Sequence, residues 1–206
     1  MSNIKSVASG QFRRAKPEDY SAILKLQAAN YLDNLSDHER REGFLSAEFT
    51  REQVTKMAED LGIMIAVESR VLAGYLCAFR NDFKHESPVL AKMFESYDRV
   101  RFEGKAVASY KSYVYGPVCV DRDYRRRGLL RGLVEAQKRD LAGQFELGVG
   151  FVSRSNPHSL DAHLFGLRMT GVGEFEVKGN TYVIFAFRLP PSLSDLTAAT
   201  PPTKKN

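Results

Sequence analysis

The sequence is short of the residue types on which several common chemistries depend. Its 206 residues include no tryptophan, four histidines and two cysteines, Cys77 and Cys119. Each cysteine lies inside an apolar stretch, and no further Cys or His stands at metal-ligand spacing. This excludes a structural zinc site of the usual kind, and we expect two reduced core thiols and no bound metal.

Long apolar runs are also missing. The first five residues do not begin an apolar segment of the signal-peptide kind. No run of apolar residues approaches the length needed to span a bilayer. We therefore expect a soluble cytoplasmic protein with no membrane partner.

The excess of positive charge is small. The chain has 30 Lys and Arg residues against 25 Asp and Glu, a formal net charge of +5. This excess suits a phosphate-bearing ligand but is weaker than the clustered charge of a nucleic-acid-binding surface. A nucleic-acid-binding module built on Arg125–Arg127 and Tyr124 stays an alternative, although acidic residues interrupt the cluster and no aromatic platform accompanies it. We expect no nucleic-acid partner.

The chain is predicted to form one globular domain over residues 10–189, as its length favours, followed by a disordered tail at 190–206 that is rich in Pro, Ser, Thr, Ala and Lys. The predicted strands are 12–15, 63–67, 71–79, 110–120, 145–152, 173–177 and 181–189. The predicted helices open at 17–19 and at 36–37 and cover 50–61, 88–97, 127–142 and 156–167. This order predicts an α/β fold with a mixed central sheet, flanking helices and a C-terminal hairpin turning at Gly179-Asn180.

The most informative segment runs from a predicted strand at 118–120 through a basic turn into a helix at 127. The free N–H groups of a first helical turn form an anion site together with the helix dipole. Gly128 removes a Cβ from the path of a phosphate, and Gly132 is expected to let the helix lie close to the sheet. These features predict a diphosphate ligand, although an arginine run at a helix start is also typical of a solvated surface. The P-loop and dinucleotide-binding glycine patterns are absent.

Arg125-Arg126-Arg127-Gly128-Leu129-Leu130 resembles the Arg/Gln-x-x-Gly-x-Gly/Ala signature of the GNAT acetyltransferases, with Leu130 where the family has Gly or Ala. Residues 151–159 resemble the family's next strand and the Asn-x-x-Ala/Ser start of its next helix. The resemblance implies the GNAT fold and acetyl-CoA as acyl donor, with no metal. The cofactor contacts it implies are Val118, Cys119, Val120, Arg125, Arg126, Arg127, Gly128, Leu129, Leu130, Arg131, Asn156 and Ser159.

The resemblance also implies the reaction, a direct transfer of acetyl to a primary amine in a ternary complex. In such a site the strand at 118–120 splays from its neighbour, and its N–H groups bind the cofactor arm and the thioester oxygen. His163 stands seven residues after Asn156, where the family often carries a catalytic Tyr. We interpret it as a general acid for the thiolate, with simple packing beside the cofactor as the alternative. For Tyr113 and Tyr115 core packing is the expectation.

Several questions stay open at the level of sequence. The general base is Asp33, Glu39, Glu42 or a water chain. The acceptor is a small-molecule amine or a peptide amine, including a protein N-terminus, and the acyl group can be longer than acetyl. A coenzyme A sensor that transfers nothing is a further alternative. Dimers are common in the family, so a homodimer is possible.

Overall fold

The computed structural model describes residues 11–82 and 87–191, and its centre is one seven-stranded mixed sheet. Its strands are β1 (Gln11–Arg14), β2 (Ile63–Glu68), β3 (Val71–Phe79), β6 (Ser112–Val120), β7 (Leu147–Ser153), β8 (Thr170–Val177) and β9 (Asn180–Arg188). They lie in the order β1-β2-β3-β6-β7-β9-β8, and only β6 and β7 run parallel within it. The described residues end at 191, so the predicted tail lies outside them from residue 192 onward.

Six α-helices connect the strands in the described residues. They are α1 (Tyr20–Ala28), α2 (Asp37–Arg40), α3 (Arg51–Asp60), α4 (Pro88–Phe94), α5 (Leu129–Asp140) and α6 (Pro157–Asp161). Ser36 caps α2 and Thr50 caps α3 through their hydroxyl oxygens, and both helices begin within one residue of the predicted start. The predicted α/β fold class is confirmed.

The sheet separates two apolar cores. Helices α1, α3 and α4 cover one face through side chains such as Ile23, Met57 and Met93. Helix α5 covers the other face with Leu129, Leu133 and Val134. Gly132 allows this close approach, as predicted, because a Cβ there would lie 2.1 Å from the Phe12 ring of β1. Both cysteines are buried and free.

Three local predictions need correction. Helix α5 begins at Leu129 and not at residue 127, because Gly128 adopts a left-handed φ of 83° and forms the N-cap. The C-terminal hairpin turns at Lys178-Gly179 and not at Gly179-Asn180, since these two residues carry the positive φ angles that a two-residue turn requires. The predicted helix at 156–167 divides into α6 and a π-helical turn, Ala162–Gly166.

The segment between β3 and β6 contains more structure than the sequence indicated. After α4 the chain forms a small hairpin of β4 (Arg101–Phe102) and β5 (Lys105–Ala106), which was not predicted. Leu90 and Met93 of α4 and the following Tyr97 are buried. They belong to the core that α1 and α3 also cover, and α4 packs against the edge strand β8.

Candidate functional site

Strands β6 and β7 pair at one end and separate at the other. The pairing joins Ser112, Tyr113 and Val114 of β6 to residues 147–149 of β7. It then stops, although β6 continues to Val120. On its other edge β6 follows β3 with a bulge at Gly116-Pro117, where the sequence predicted an interruption. The predicted splay next to residues 118–120 is therefore present.

The N–H groups of Val118 and Val120 point into the gap that the splay opens. Asp121 donates its N–H to Ala73 on β3, at 2.9 Å. Because residues of a strand face alternate neighbours, Val118 and Val120 face away from β3 and towards the gap. The Val120 carbonyl also points away from β3, since it accepts a hydrogen bond from Arg125 Nε at 3.1 Å.

Helix α5 begins at the edge of this gap with an uncapped N-terminus. Gly128 has no side chain to cap the helix, and the first intrahelical bond runs from the Gly132 N–H to the Gly128 carbonyl. The N–H groups of Leu129, Leu130 and Arg131 therefore have no acceptor within the helix. They lie along a cavity of about 330 Å3, called here the first cavity, which α5, residues 118–120 and the π-helical turn enclose.

Most of the residues that the resemblance assigns to the cofactor line the first cavity. They are Val118, Cys119, Val120, Arg125, Arg126, Gly128, Leu129, Leu130, Arg131 and Ser159. Arg127 does not line it, because its guanidinium donates to the Asp123 carbonyl, faces Glu68 and lies over the Tyr124 ring. Asn156 lies at a second cavity instead.

Two of these residues hold a segment that the sequence did not single out. Arg125 donates to the Glu42 carbonyl at 2.7 Å and to Asn30 Oδ1 at 2.9 Å, and burial lowers the pKa of its guanidinium. Asn156 Nδ2 donates to the Phe44 carbonyl at 2.9 Å. Residues 42–45, called here the partition segment, are thus fixed from both sides. The hydrogen-bond donors of Arg125 and Asn156 that hold this segment are not available to a ligand, because the segment's carbonyls already accept them.

The partition segment separates the first cavity from a second one, also of about 330 Å3. Phe44, Leu45, Val118, Ser159 and His163 line both cavities, so the two spaces meet at the splay. The second cavity extends to the opposite side of the gap. Apolar and aromatic side chains supply most of its wall, from the partition segment, β6, β7 and α4.

His163 lies at this junction, on the π-helical turn, and is 3% exposed. Its Nδ1 lies 2.7 Å from the Ser159 carbonyl, so Nδ1 must carry the hydrogen. Its Nε2 then accepts from the Tyr115 hydroxyl at 3.1 Å. The ring stacks on Phe185, and burial lowers the pKa of the imidazole, which favours the neutral form.

The two tyrosines of β6 differ in their surroundings. Tyr113 is fully buried in the core and bonds to Gln137 Oε1, as the expectation of core packing required. Tyr115 also lines the second cavity and touches His163. Burial raises the pKa of the Tyr115 hydroxyl, so the group stays protonated.

The three carboxylates considered as the base lie apart from the second cavity. Glu39 accepts from Arg122 and Ser36, and these bonds lower its pKa to about 2, which makes it a poor base. Glu42 lies in the first cavity with Arg126, their nearest atoms 3.7 Å apart. Asp33 lines neither cavity.

The sequence analysis missed the carboxylate that does line the second cavity, Glu48. It also missed the partition segment. The available signal was the apolar pair Phe44-Leu45 within a polar stretch, but nothing in the sequence locates this pair against residues that follow it by more than 70 positions. Only the tertiary contacts to Arg125 and Asn156 reveal its role.

The described ranges, 11–82 and 87–191, contain neither a metal-binding cluster nor a membrane-spanning helix. No cluster of three or more His, Cys, Asp or Glu side chains is arranged to hold a metal ion there. No helix in those ranges has both the length and the apolar character to cross a bilayer.

Comparison by sequence identifies no relative, since no protein-family model and no curated protein matches the chain. Comparison by structure is informative. A GNAT-family acetyltransferase from Streptococcus agalactiae has a TM-score of 0.60 at 15% identity, covering 90% of this chain and 98% of that one. A phosphinothricin acetyltransferase from Sinorhizobium meliloti, solved with AcCoA, has a TM-score of 0.58 at 13% identity, with coverages of 90% and 91%.

A third similar structure is a putative acetyltransferase from Salmonella typhimurium, solved with acetyl-CoA. Its TM-score is 0.55 at 15% identity, and the match covers 95% of this chain and 99% of that one. At identities this low, the structural matches establish the architecture alone. They extend over nearly all of each chain. The protein therefore has the fold of the GNAT acetyltransferases.

Proposed function

We propose that residues 10–189 form one acetyl-CoA-dependent N-acetyltransferase domain that transfers acetyl to a primary amine. The observation that carries the proposal is the uncapped N-terminus of α5, which opens on a gap between two separated parallel strands. Unpaired N–H donors at such a position favour a negatively charged ligand. The solved structures with acetyl-CoA support coenzyme A as that ligand.

The residues of the first cavity fit the parts of acetyl-CoA. The N–H groups of Leu129, Leu130 and Arg131 suit a diphosphate, and apart from the adjoining chain no atom lies within 4 Å of the point where a Gly128 Cβ would stand. Arg126 adds a positive charge on the solvent side, with a side chain that is 84% exposed. The N–H groups of Val118 and Val120 suit the amide arm and the thioester oxygen. Leu130 narrows the space without closing it, because it stays on the cavity wall.

In this proposal the protein's main contribution is to hold both substrates where the cavities meet. The amine nitrogen attacks the thioester carbon, a C–N bond forms, and the C–S bond then breaks. Negative charge gathers on the thioester oxygen in between, where a fixed N–H donor of β6 stabilises it most strongly. Holding both groups in contact supplies much of the remaining rate.

The acceptor enters as an ammonium ion and must first lose one proton to solvent water. The attacking amine nitrogen then loses a second proton, which must reach the departing sulfur, and we assign this second transfer to His163. The neutral imidazole that burial favours can accept the proton at Nε2 and then deliver it to the thiolate. Tyr115 gives up its hydrogen bond to Nε2 during this exchange. The Ser159 carbonyl keeps the tautomer and the ring orientation fixed through Nδ1.

The proposal is tested by incubating the full chain with acetyl-CoA and a panel of primary amines. We expect free thiol and acetylated amine to appear in equal amounts, with thiol release dependent on the amine. Calorimetry should show coenzyme A binding in the absence of any amine. Binding without acetyl transfer to any amine would indicate a sensor, and absence of binding would contradict the whole assignment.

For His163→Ala we expect kcat to fall by about 100-fold, the usual contribution of a general acid or base. The Kd of coenzyme A should change much less, because the ring lies beyond the phosphate end of the cavity. His38→Ala is the control, since His38 is exposed and lines neither cavity.

Loss of the buried ring also removes packing, so Tyr115→Phe serves as a second variant that keeps the aromatic contacts with Phe185 and Phe187. It should shift the pH profile of kcat, because Nε2 loses its resting donor. Wild-type kcat and pH profile in both variants would make His163 a packing residue only.

A further inference from the structure

The wall of the second cavity carries information about the acceptor. Its apolar surface comes from side chains on several elements, among them Phe49, Phe79, Leu90, Phe151 and Phe185. Its volume of about 330 Å3 lies at the lower end of the range for small-molecule sites. A space of this size and character suits a compact apolar group more closely than a hydrated one.

Several polar side chains of the wall already have partners inside the protein. Ser153 Oγ bonds to Ser155 Oγ at 2.8 Å, and Asn156 bonds to the partition segment and to the Ser159 N–H. Ser87 accepts from the Val89 N–H at the start of α4. These groups do not require a polar ligand to satisfy them, so they add little recognition of a polar acceptor.

Charge in the described wall has one sign. Glu48 is its one charged residue, and it is exposed. Within the described part of the chain Glu48 has neither an ion-pair nor a hydrogen-bond partner. No Lys or Arg of the described residues lines this cavity. A cleft with a single sign of charge attracts ligands of the opposite sign and disfavours those of the same sign.

We propose that the acceptor is a small primary amine with an aromatic or bulky apolar body and no acidic group. This inference rests on the proposed function and specifies its substrate class. The ammonium is drawn to the cavity by the Glu48 carboxylate, and the apolar body is buried among the aromatic side chains. An amino acid with a free carboxylate would meet no cation among the described residues of the wall and would be repelled by Glu48.

The test separates acceptor binding from acetyl transfer. Amines are titrated by calorimetry into the full chain saturated with coenzyme A, and thiol release from acetyl-CoA is measured in parallel. The probes are 2-phenylethylamine, ethylamine, phenylalaninamide and phenylalanine. 2-Phenylethylamine and ethylamine differ in the apolar body, so comparing them measures its contribution to binding. Phenylalaninamide and phenylalanine differ in the carboxylate, so comparing them measures the effect of that charge.

We expect 2-phenylethylamine to bind at least about 30-fold more tightly than ethylamine, as burial of a phenyl group predicts. Phenylalaninamide should bind at least about tenfold more tightly than phenylalanine. Equal binding within either pair would overturn the proposal. A peptide with N-terminal Phe that binds more tightly than 2-phenylethylamine would also overturn it, in favour of a polypeptide acceptor.

The Glu48 variants test the charge directly. Glu48→Gln should weaken 2-phenylethylamine binding about threefold to tenfold, and Glu48→Lys should narrow or reverse the preference for phenylalaninamide over phenylalanine. Glu52→Gln is the matched control, because Glu52 is exposed, pairs with Lys56 and lines neither cavity. Unchanged preferences in both Glu48 variants would remove Glu48 from the proposal and overturn it.

The two readouts distinguish the two failures. If the amines bind with the expected preferences but no thiol is released, the acceptor inference stands and the proposed transferase function fails. If acetyl is transferred to hydrophilic or acidic amines with equal efficiency, the function stands and the acceptor inference fails.

Discussion

Replacing Gly128 by Asp is expected to abolish measurable binding of acetyl-CoA. The new carboxylate would stand beside the free N–H groups of α5, where we place the diphosphate. Two unit charges about 4 Å apart repel by about 4 kcal/mol at an effective dielectric constant of 20. This corresponds to a loss of affinity of about a thousandfold, which calorimetry with coenzyme A would register as no binding.

Gly128→Asn is the matched control for this substitution. Asn has nearly the shape of Asp and meets the same cost at a φ of 83°, so the two variants differ mainly in charge. We expect Gly128→Asn to keep most of the coenzyme A affinity. If the two variants bound coenzyme A equally, the diphosphate would not lie at this helix end.

Replacing Gly74 by Ala is expected to lower both stability and coenzyme A affinity. A Cβ at this position of β3 would lie 2.8 Å from the Cys119 carbonyl oxygen, a backbone atom of β6 that cannot rotate away. The strand that carries the Val118 and Val120 N–H groups must shift instead. Overpacking of this kind costs about 1–3 kcal/mol, and at about 2–4 °C per kcal/mol for a protein of this size we expect a fall in Tm of about 2–12 °C.

The direction of the stability change in Gly74→Ala distinguishes overpacking from the usual effect of replacing glycine by alanine. Gly→Ala in a compatible backbone conformation usually stabilises a protein, because it restricts the unfolded chain. Gly171→Ala is the control, since a Cβ there would meet its nearest neighbour, Leu164 Cδ2, at an ordinary 3.8 Å. Its Tm and coenzyme A affinity should stay close to wild type. A Gly74→Ala protein as stable as wild type would show that β6 is free to move.

The elements that the sequence predicted well are those with strong local signals. The amphipathic face of α5, the starts of α2 and α3 and the alternation of strand and helix after residue 110 all depend on near neighbours. The anion site at the start of α5 stays a prediction, which rests on the definite geometry of a helix start that follows a strand and a glycine.

The parts that the sequence did not predict depend on distant contacts. The role of Arg125 is an example, since a run of arginines gave no reason to expect that one would hold the end of α1 and the partition segment. Glu48 is another, because its place on the cavity wall follows from the tertiary placement of residues 44–49, all of which line the second cavity. The π-helical turn at His163 is set by tertiary packing and has no simple sequence signal.

The partition segment forms a common wall of the two cavities, and this has a consequence for the two substrates of the proposed reaction. A molecule that moves Phe44 or Leu45 from one side changes the shape of the space on the other. The two substrates are then energetically linked, and thermodynamics requires each to alter the affinity of the other by the same factor. Because Arg125 and Asn156 hold this wall from opposite sides, replacing either one is expected to change the factor by which each substrate alters the affinity of the other.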